Sequence, residues 1–161
     1  MDSSNRKILL IIGVLLLLCV VGAFLYFNNA FTTNANDNNT FTVGPAKFTL
    51  PEGYKVTETK NDSAKISNKF NSVSIVCYND KNIKKYVDKY VKMKEKDNHS
   101  VNLTNLTVNN HMVYKSELDN DSSNVHYWFK YGNSTYSIYS PDANKNMDKL
   151  VNQLLKSMKG E

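Results

Sequence analysis

The chain has 161 residues and a formal net charge of +5, and Arg6 is its one arginine. Specific readout of phosphates and bases usually depends on the planar fork of arginine. We therefore exclude nucleic acid from the expected partners, although the chain is basic. The two cysteines, Cys19 and Cys77, lie in different segments, so no disulfide is expected within the part that follows the first 40 residues.

Residues 8–27 form a run of twenty residues without a charge. A helix of that length spans about 30 Å, the hydrocarbon thickness of a bilayer, whereas the apolar core of a cleaved signal peptide has about 7–15 residues. Arg6 and Lys7 precede the run, and the next lysine is Lys47, so the positive-inside rule places the N-terminus in the cytoplasm. We predict a cytoplasmic stub (1–7) and a retained, single-pass anchor in the cell membrane (8–27). A cleaved signal peptide is the alternative.

The segment 28–40, NNAFTTNANDNNT, has few apolar or charged residues and no periodicity. Such composition is typical of a flexible linker. Residues 41–161 then form an exported domain outside the membrane. This domain carries 18 lysines against 13 aspartates and glutamates, so its partner is expected to be anionic: lipid headgroups or an acidic envelope polymer.

The first half of the domain contains five stretches that are typical of strands. FTV and KFTL flank the turn signal Gly44-Pro45, and YKVTETK, AKIS and SVSIVCY follow. In SVSIVCY both faces are apolar, with Val73 and Ile75 on one and Val76 and Tyr78 on the other, which favours an interior strand.

A helix is predicted over residues 82–97, with Asp80 or Asn82 as its cap. One stripe at helical spacing is apolar, and the opposite face is basic. The stripe contains Ile83, Tyr86, Val87, Tyr90 and Val91, and the basic face Lys81, Lys84, Lys85, Lys89, Lys92, Lys94 and Lys96.

The next two stretches, HMVYKSEL and VHYWFKY, predict a hairpin around a loop at 119–124. We expect Leu118 to lie opposite Val125 and Tyr114 opposite Phe129, because this register places the large apolar side chains on one face. The other face then collects Lys115, Glu117, His126, Trp128, Lys130 and Tyr139.

A second turn is predicted at Gly132-Asn133, which suits a two-residue hairpin loop with glycine first. It places Tyr136 opposite Phe129 and Ile138 opposite Tyr127. A closing helix is expected over residues 143–159, where Leu150, Val151, Leu154 and other apolar residues recur at helical spacing before Gly160. The predicted fold class is α+β: an antiparallel sheet of about six to seven strands flanked by helices.

The stretches FTVGPAKFTLPEGYKV, VSIVCY, YWFKYGNSTYSIY and LVNQLLKSMK, taken in this order, resemble the PsbP-like superfamily. The resemblance covers residues 41–159 and includes an F-x-[IL]-P-x-G-[YW] start at residues 48–54 and a Y-x-I strand at residues 136–138. It implies an antiparallel sheet with packed helices. The photosynthetic members are non-catalytic extrinsic subunits, and for the membrane-anchored members the resemblance does not indicate an activity.

Neither a cofactor nor a metal is predicted. The three histidines, His99, His111 and His126, lack metal-ligand spacing, and the chain has no P-loop, G-x-G-x-x-G or G-x-S-x-G motif. We expect a membrane-anchored interaction module and not an enzyme; an exported hydrolase-type enzyme with an unrecognised active site is the alternative.

Two surfaces are candidates for binding. The first is the lysine face, with an anionic surface as its ligand, and a solvated face without a ligand is its alternative. The second is an aromatic patch for carbohydrate or peptide, and burial of Trp128 beneath a helix is the interpretation we favour there. The lysine face consists of Lys84, Lys85, Lys89, Lys92 and Lys96, and the aromatic patch of Trp128, Tyr139, His126, Lys115 and Glu117.

Overall fold

The computed structural model describes residues 39–119, 121–140 and 146–160. The predicted stub, the predicted anchor and the linker up to residue 38 lie outside the described residues, as do residues 141–145 near the start of the predicted closing helix. Among the described residues, no helix has the length and apolar character to cross a membrane.

The described residues form strands and helices in the order βββββαββββαβ. β1 begins at Thr40, one residue before the predicted start of the domain. The elements are β1 (Thr40–Val43), β2 (Ala46–Thr49), β3 (Lys55–Lys60), β4 (Ser63–Ser67), β5 (Ser72–Tyr78), α1 (Ile83–Lys96), β6 (Val101–Val108), β7 (His111–Leu118), β8 (Asp121–Tyr131), β9 (Ser134–Tyr139), α2 (Met147–Ser157) and β10 (Lys159–Gly160).

Seven strands form one antiparallel sheet in the order β3-β4-β5-β9-β8-β7-β6, and β1, β2 and β10 form a second, three-stranded sheet. The α+β class and the large antiparallel sheet are therefore confirmed. β5 lies inside the sheet between β4 and β9, as its two apolar faces predict.

The main core lies between the seven-stranded sheet, the small sheet and α2. Leu154 and Leu155 of α2 are fully buried in it, together with Phe48 of the small sheet and Tyr136 and Ile138 of the large one. Burial of a large apolar side chain contributes about 1.5–3 kcal/mol. The apolar stripe of α2 buries several such side chains, and this burial holds the helix against the two sheets. The opposite face of the sheet carries α1.

The predicted pairing of β9 with β8 is confirmed, and the predicted register of β7 against β8 is wrong. Tyr127 lies opposite Ile138 across a turn that starts at Gly132, whose φ is +57°. By contrast, Tyr114 lies opposite Trp128, one residue away from the predicted partner Phe129. The turn before β8 is tighter than expected, because Leu118 already pairs with Asp121, and the register shifts between residues 116 and 118.

This one-residue shift moves β7 side chains to the opposite face of the sheet, since side chains alternate along a strand. Val113, and not Tyr114, belongs to the main core, and Tyr114 contacts the α1 cluster. Lys115 lies opposite Tyr127 on the α2 side. The predicted faces of Met112, Tyr114 and Lys115 are therefore corrected.

Two further elements differ from the prediction. β6 was not predicted, because the apolar alternation in its sequence VNLTNLTV changes phase between Leu103 and Leu106; the strand lies at the sheet edge and is mostly exposed. α2 ends at Ser157, whose hydroxyl donates to the Leu154 carbonyl and accepts a hydrogen bond from the Thr49 amide. Lys159, predicted as helical, instead pairs with Lys47 in β10.

Candidate anion-binding surface

Helix α1 begins where its sequence predicts. Asn82 is the N-cap, and its side-chain oxygen accepts a hydrogen bond from the Lys85 amide at 3.4 Å. Asp80 Oδ1 accepts from the Asn82 amide at 2.9 Å, and Thr135 of β9 donates to the Asp80 carbonyl at 2.7 Å. These bonds tie the start of α1 to the large sheet.

The apolar stripe of α1 packs on the face of the sheet opposite α2. Val87 and Tyr90 are buried against Trp128, with the Tyr90 and Trp128 rings 5.1 Å apart. Tyr86 stacks on Tyr78 of β5 at 4.1 Å. Because this stripe is fixed to the sheet, the opposite side of the helix faces solvent.

The five lysines predicted as a binding surface are all exposed, but they do not form one patch. Lys85, Lys89, Lys92 and Lys96 follow the spacing i, i+4, i+7 and i+11, which places them within an arc of about 60°. We call these four the lysine ridge. Lys84 lies about 80° away from Lys92 around the helix, beside a cleft at the start of α1.

Lys85 differs from the other members of the ridge because it has a carboxylate partner. Its Nζ lies 2.8 Å from Asp80 Oδ2. The hydrogen bond from Lys85 lowers the pKa of Asp80, and Asp80 in turn raises the pKa of Lys85. Within the described residues, no carboxylate lies at ion-pair distance from Lys89, Lys92 or Lys96.

Lys94 is not part of the exposed basic face, and its predicted position is corrected. Its Nζ lies 5.8 Å above the ring of Tyr90, one turn earlier on the helix, and the residue is half-buried. Position i+4 from a buried tyrosine places a side chain beside the packed stripe. That spacing was the signal in the sequence for this position.

The predicted aromatic patch is divided between the two faces of the sheet. Trp128 is buried beneath α1, which confirms the interpretation favoured from the sequence. His126 and Tyr139 lie on the same face, with their rings 4.7 Å apart. Lys115 lies on the other face, where its Nζ contacts Asp148 of α2 and Glu117 at 2.9 Å each. The five residues therefore do not form a common surface.

His126 is enclosed by aromatic rings. Its ring lies 4.5 Å from that of Tyr90 and 5.1 Å from that of Trp128, and its Nδ1 has no hydrogen-bond partner among the described residues. Burial, together with the positive charge of Lys94, lowers its pKa from 6.5 to about 4. The imidazole is thus neutral at pH 7 and acts as part of the packing beneath α1.

The described residues contain no group of three or more histidine, cysteine, aspartate or glutamate side chains that could hold a metal ion. His111 lies at the start of β7, and its ring is 6.3 Å from that of Phe129, on the side of the sheet opposite the rings around His126. His99 follows the end of α1.

No family model matches the chain, and a search of curated proteins finds no match. A crystal structure at 1.50 Å of a protein from Bacteroides thetaiotaomicron VPI-5482 is similar to it, with 11% sequence identity and a TM-score of 0.43. The similarity covers 76% of this chain and 48% of that protein, so the chain spans about half the length of that protein.

Proposed function

We propose that the chain is a membrane-anchored, exported interaction module of the PsbP-like type, and that its lysine ridge binds the anionic headgroups of a membrane surface. The single observation that supports this proposal most is the ridge itself. Four lysines project from one arc of a helix, and of these four only Lys85 has a carboxylate partner within the described residues.

The architecture supports the rigidity that such a surface needs. Val87 and Tyr90 fix α1 on the sheet, so the ammonium groups of the ridge point away from the protein core. The predicted linker of thirteen residues gives an end-to-end distance of about 20 Å. With the predicted anchor retained, the domain is held within a few Debye lengths of the bilayer, each about 8 Å at physiological ionic strength.

Attraction to an anionic bilayer amounts to about 1 kcal/mol for each lysine near its surface and weakens with salt. The test is cosedimentation of residues 39–161, which form one compact unit, with vesicles of phosphatidylglycerol and phosphatidylcholine. Circular dichroism first establishes that this fragment is folded. We expect binding that increases with the phosphatidylglycerol fraction and decreases as ionic strength rises.

A matched pair of triple variants distinguishes the contribution of the ridge to vesicle binding from that of the net charge. Lys89→Gln/Lys92→Gln/Lys96→Gln removes three unpaired ridge charges, and we expect it to weaken vesicle binding at least about tenfold. The control, Lys55→Gln/Lys60→Gln/Lys149→Gln, removes three exposed charges from β3 and α2 and is expected to retain binding. Equal losses in both variants, or no binding at low ionic strength, would refute the proposal and leave a solvated lysine face.

The same assay, run with an acidic envelope polymer in place of the vesicles, identifies the preferred anion. The alternative of an exported hydrolase stays a prediction, and turnover of ester or peptide substrates by the folded domain would overturn the non-catalytic proposal.

A further inference from the structure

A second basic feature lies at the start of α1, away from the ridge. It is a cleft of about 420 Å³ between the first turn of the helix and the ends of β7 and β8. This volume is in the range of pockets that take small molecules. The cleft is lined by Lys81, Asn82, Ile83, Lys84, Asn110, His111, Met112, Tyr114 and Lys130.

The walls of the cleft come from three separate parts of the chain. Lys81 and Lys84 belong to the start of α1, which Asp80 and Thr135 hold on the sheet. Lys130 comes from β8. A two-residue turn between β6 and β7 forms another wall, and Asn110 in this turn has a φ of +64°. The folded chain therefore brings together lysines that are 46 to 49 positions apart in the sequence.

The floor of the cleft is apolar. It consists of the part of the sheet that α1 leaves uncovered, where Met112 is 60% exposed and Tyr114 is half-buried. Ile83 contributes from the helix. An exposed methionine and an aromatic ring in a concave site provide contacts for an apolar group.

The charge of the cleft has one sign. Three lysines line it, and none of its lining residues in the described part of the chain is an aspartate or a glutamate. The carboxylate at the start of α1, that of Asp80, is engaged by Lys85 outside the cleft. Three lysine side chains that line one cleft give it a positive potential, which attracts an anion.

We propose that this cleft is a binding site for a small organic anion in which a phosphate or carboxylate group is attached to an apolar group. The lysines bind the charged oxygens, and Met112 and Tyr114 contact the apolar part. The site does not depend on the proposed function, because Lys81 and Lys130 lie outside the lysine ridge.

The experiment uses the full chain in neutral, non-ionic detergent micelles, with phenyl phosphate as the probe. Methionine methyl groups carry ¹³C, and their NMR signals are followed during titration. Met112 lies in the cleft, whereas Met93 is 50% exposed on α1 and does not line it. We expect a saturable shift of the Met112 signal without a corresponding shift of the Met93 signal. Inorganic phosphate and phenol, the two halves of the probe, are expected to bind more weakly than phenyl phosphate.

Two double variants with the same loss of charge distinguish binding at the cleft from nonspecific attraction by the net positive charge. Lys84→Gln/Lys130→Gln removes two cleft lysines and is expected to raise the dissociation constant at least about tenfold. Lys89→Gln/Lys92→Gln removes two ridge lysines and is expected to leave it unchanged. An equal effect of both pairs, or a Met112 signal that does not move, overturns the proposed site.

A further arm distinguishes a free ligand from a lipid headgroup, which share the same chemistry. Phosphatidylglycerol is added to the micelles after the cleft has been saturated with phenyl phosphate. If the Met112 signal shows that phenyl phosphate is displaced from the cleft, the site belongs to a lipid headgroup. If phenyl phosphate stays bound, the site belongs to a soluble anion. The ridge variant is expected to behave as the unmodified chain does in this competition, and if it does not, the cleft and the ridge form one surface and the separate site is refuted.

Discussion

The hydroxyl of Tyr127 donates a hydrogen bond of 2.8 Å to Asp148 Oδ1, which joins the middle of the large sheet to the first turn of α2. The ring of Tyr127 is buried, and Lys115 Nζ lies 2.9 Å from the other oxygen of the same carboxylate. Burial, and then the bond to Asp148, raise the pKa of Tyr127. Asp148 is also an acidic residue in the first turn of a helix, where it interacts favourably with the helix dipole.

We expect Tyr127→Phe to lower the free energy of unfolding by about 1–2 kcal/mol, because a hydrogen bond to a charged acceptor is lost while the ring remains packed. Asp148→Ala is expected to have a similar effect. A double-mutant cycle in urea measures the coupling between them. Additive effects would show that the bond contributes nothing to stability.

Leu154 tests the main core, where it is fully buried between α2 and the sheet. We expect Leu154→Ala to cost about 2–5 kcal/mol, because it removes buried methyl groups and leaves a cavity. Leu103→Ala is the matched control, since Leu103 on β6 is 41% exposed. Urea unfolding of both variants checks the prediction, and similar costs would contradict the assignment of Leu154 to the core.

The stability of the α1 face should depend on pH through His126. The unfolded chain takes up a proton at this residue below about pH 6.5, whereas the folded chain takes it up only near pH 4. The contribution of the neutral, buried His126 to stability is therefore fully present above about pH 6.5, and it is lost as the pH falls toward 4. We expect a loss of about 2 kcal/mol between pH 7 and pH 5.

The measurement is urea unfolding across this pH range, with His126→Gln as the variant that removes the titration. The difference between the two proteins isolates His126 from the carboxylates, such as Asp80, whose pKa is lowered by the hydrogen bond from Lys85. Parallel pH profiles would mean that His126 is accessible to protons in the folded state.

Gly44 provides a test of close packing between the two sheets. Its φ is +54°, and a Cβ built there would lie 2.5 Å from the sulfur of the buried Cys77. Gly53 has a φ of +79° and nothing within 4 Å of a built Cβ. Both alanine variants carry the backbone cost of about 1 kcal/mol or more, but only Gly44→Ala adds overpacking of about 1–3 kcal/mol.

Thermal unfolding of Gly44→Ala and Gly53→Ala measures this difference. We expect the Gly44 variant to be the less stable one, and Cys77→Ala in the same chain to restore part of the loss, because it removes the sulfur. Equal stabilities of the two glycine variants would show that the contact with Cys77 relaxes at no cost.

Local pattern was sufficient to predict some of the fold. The helix at α1 was predicted with Asn82 as a cap, because a polar cap and an apolar stripe are encoded within a few turns. The turn at Gly132 was predicted because only a few residue pairs suit a two-residue hairpin. Both features are determined by residues that are neighbours in the sequence.

The β7–β8 pairing was not predictable in this way. The register shifts between Ser116 and Leu118, and the sequence contains no glycine or proline there to indicate it. The error reversed the face of Lys115 and hid its contact with Asp148. The basic cleft was missed for the same reason, because its floor residues Met112 and Tyr114 belong to β7, and the predicted register placed Tyr114 on the opposite face of the sheet.

The two edges of the large sheet differ in how they are protected, and this difference leads to the last prediction. β3 carries Lys55, Glu58 and Lys60 and has a register irregularity between residues 56 and 58. β6 pairs regularly with β7 over eight residues, and it contains no charge and no proline. Charges, prolines and bulges are the usual devices that prevent edge-to-edge association of strands.

We therefore expect β6 to be the edge through which the domain aggregates when it is heated below its unfolding temperature. Leu103→Lys and Leu103→Thr both remove the exposed leucine, but only the lysine adds a charge to the edge. Light scattering should show that Leu103→Lys aggregates more slowly than Leu103→Thr, with equal unfolding temperatures. Thr59→Lys on β3 adds the same charge to the protected edge and is expected to have little effect. If Thr59→Lys slows aggregation as much as Leu103→Lys does, net charge and not the β6 edge controls the association.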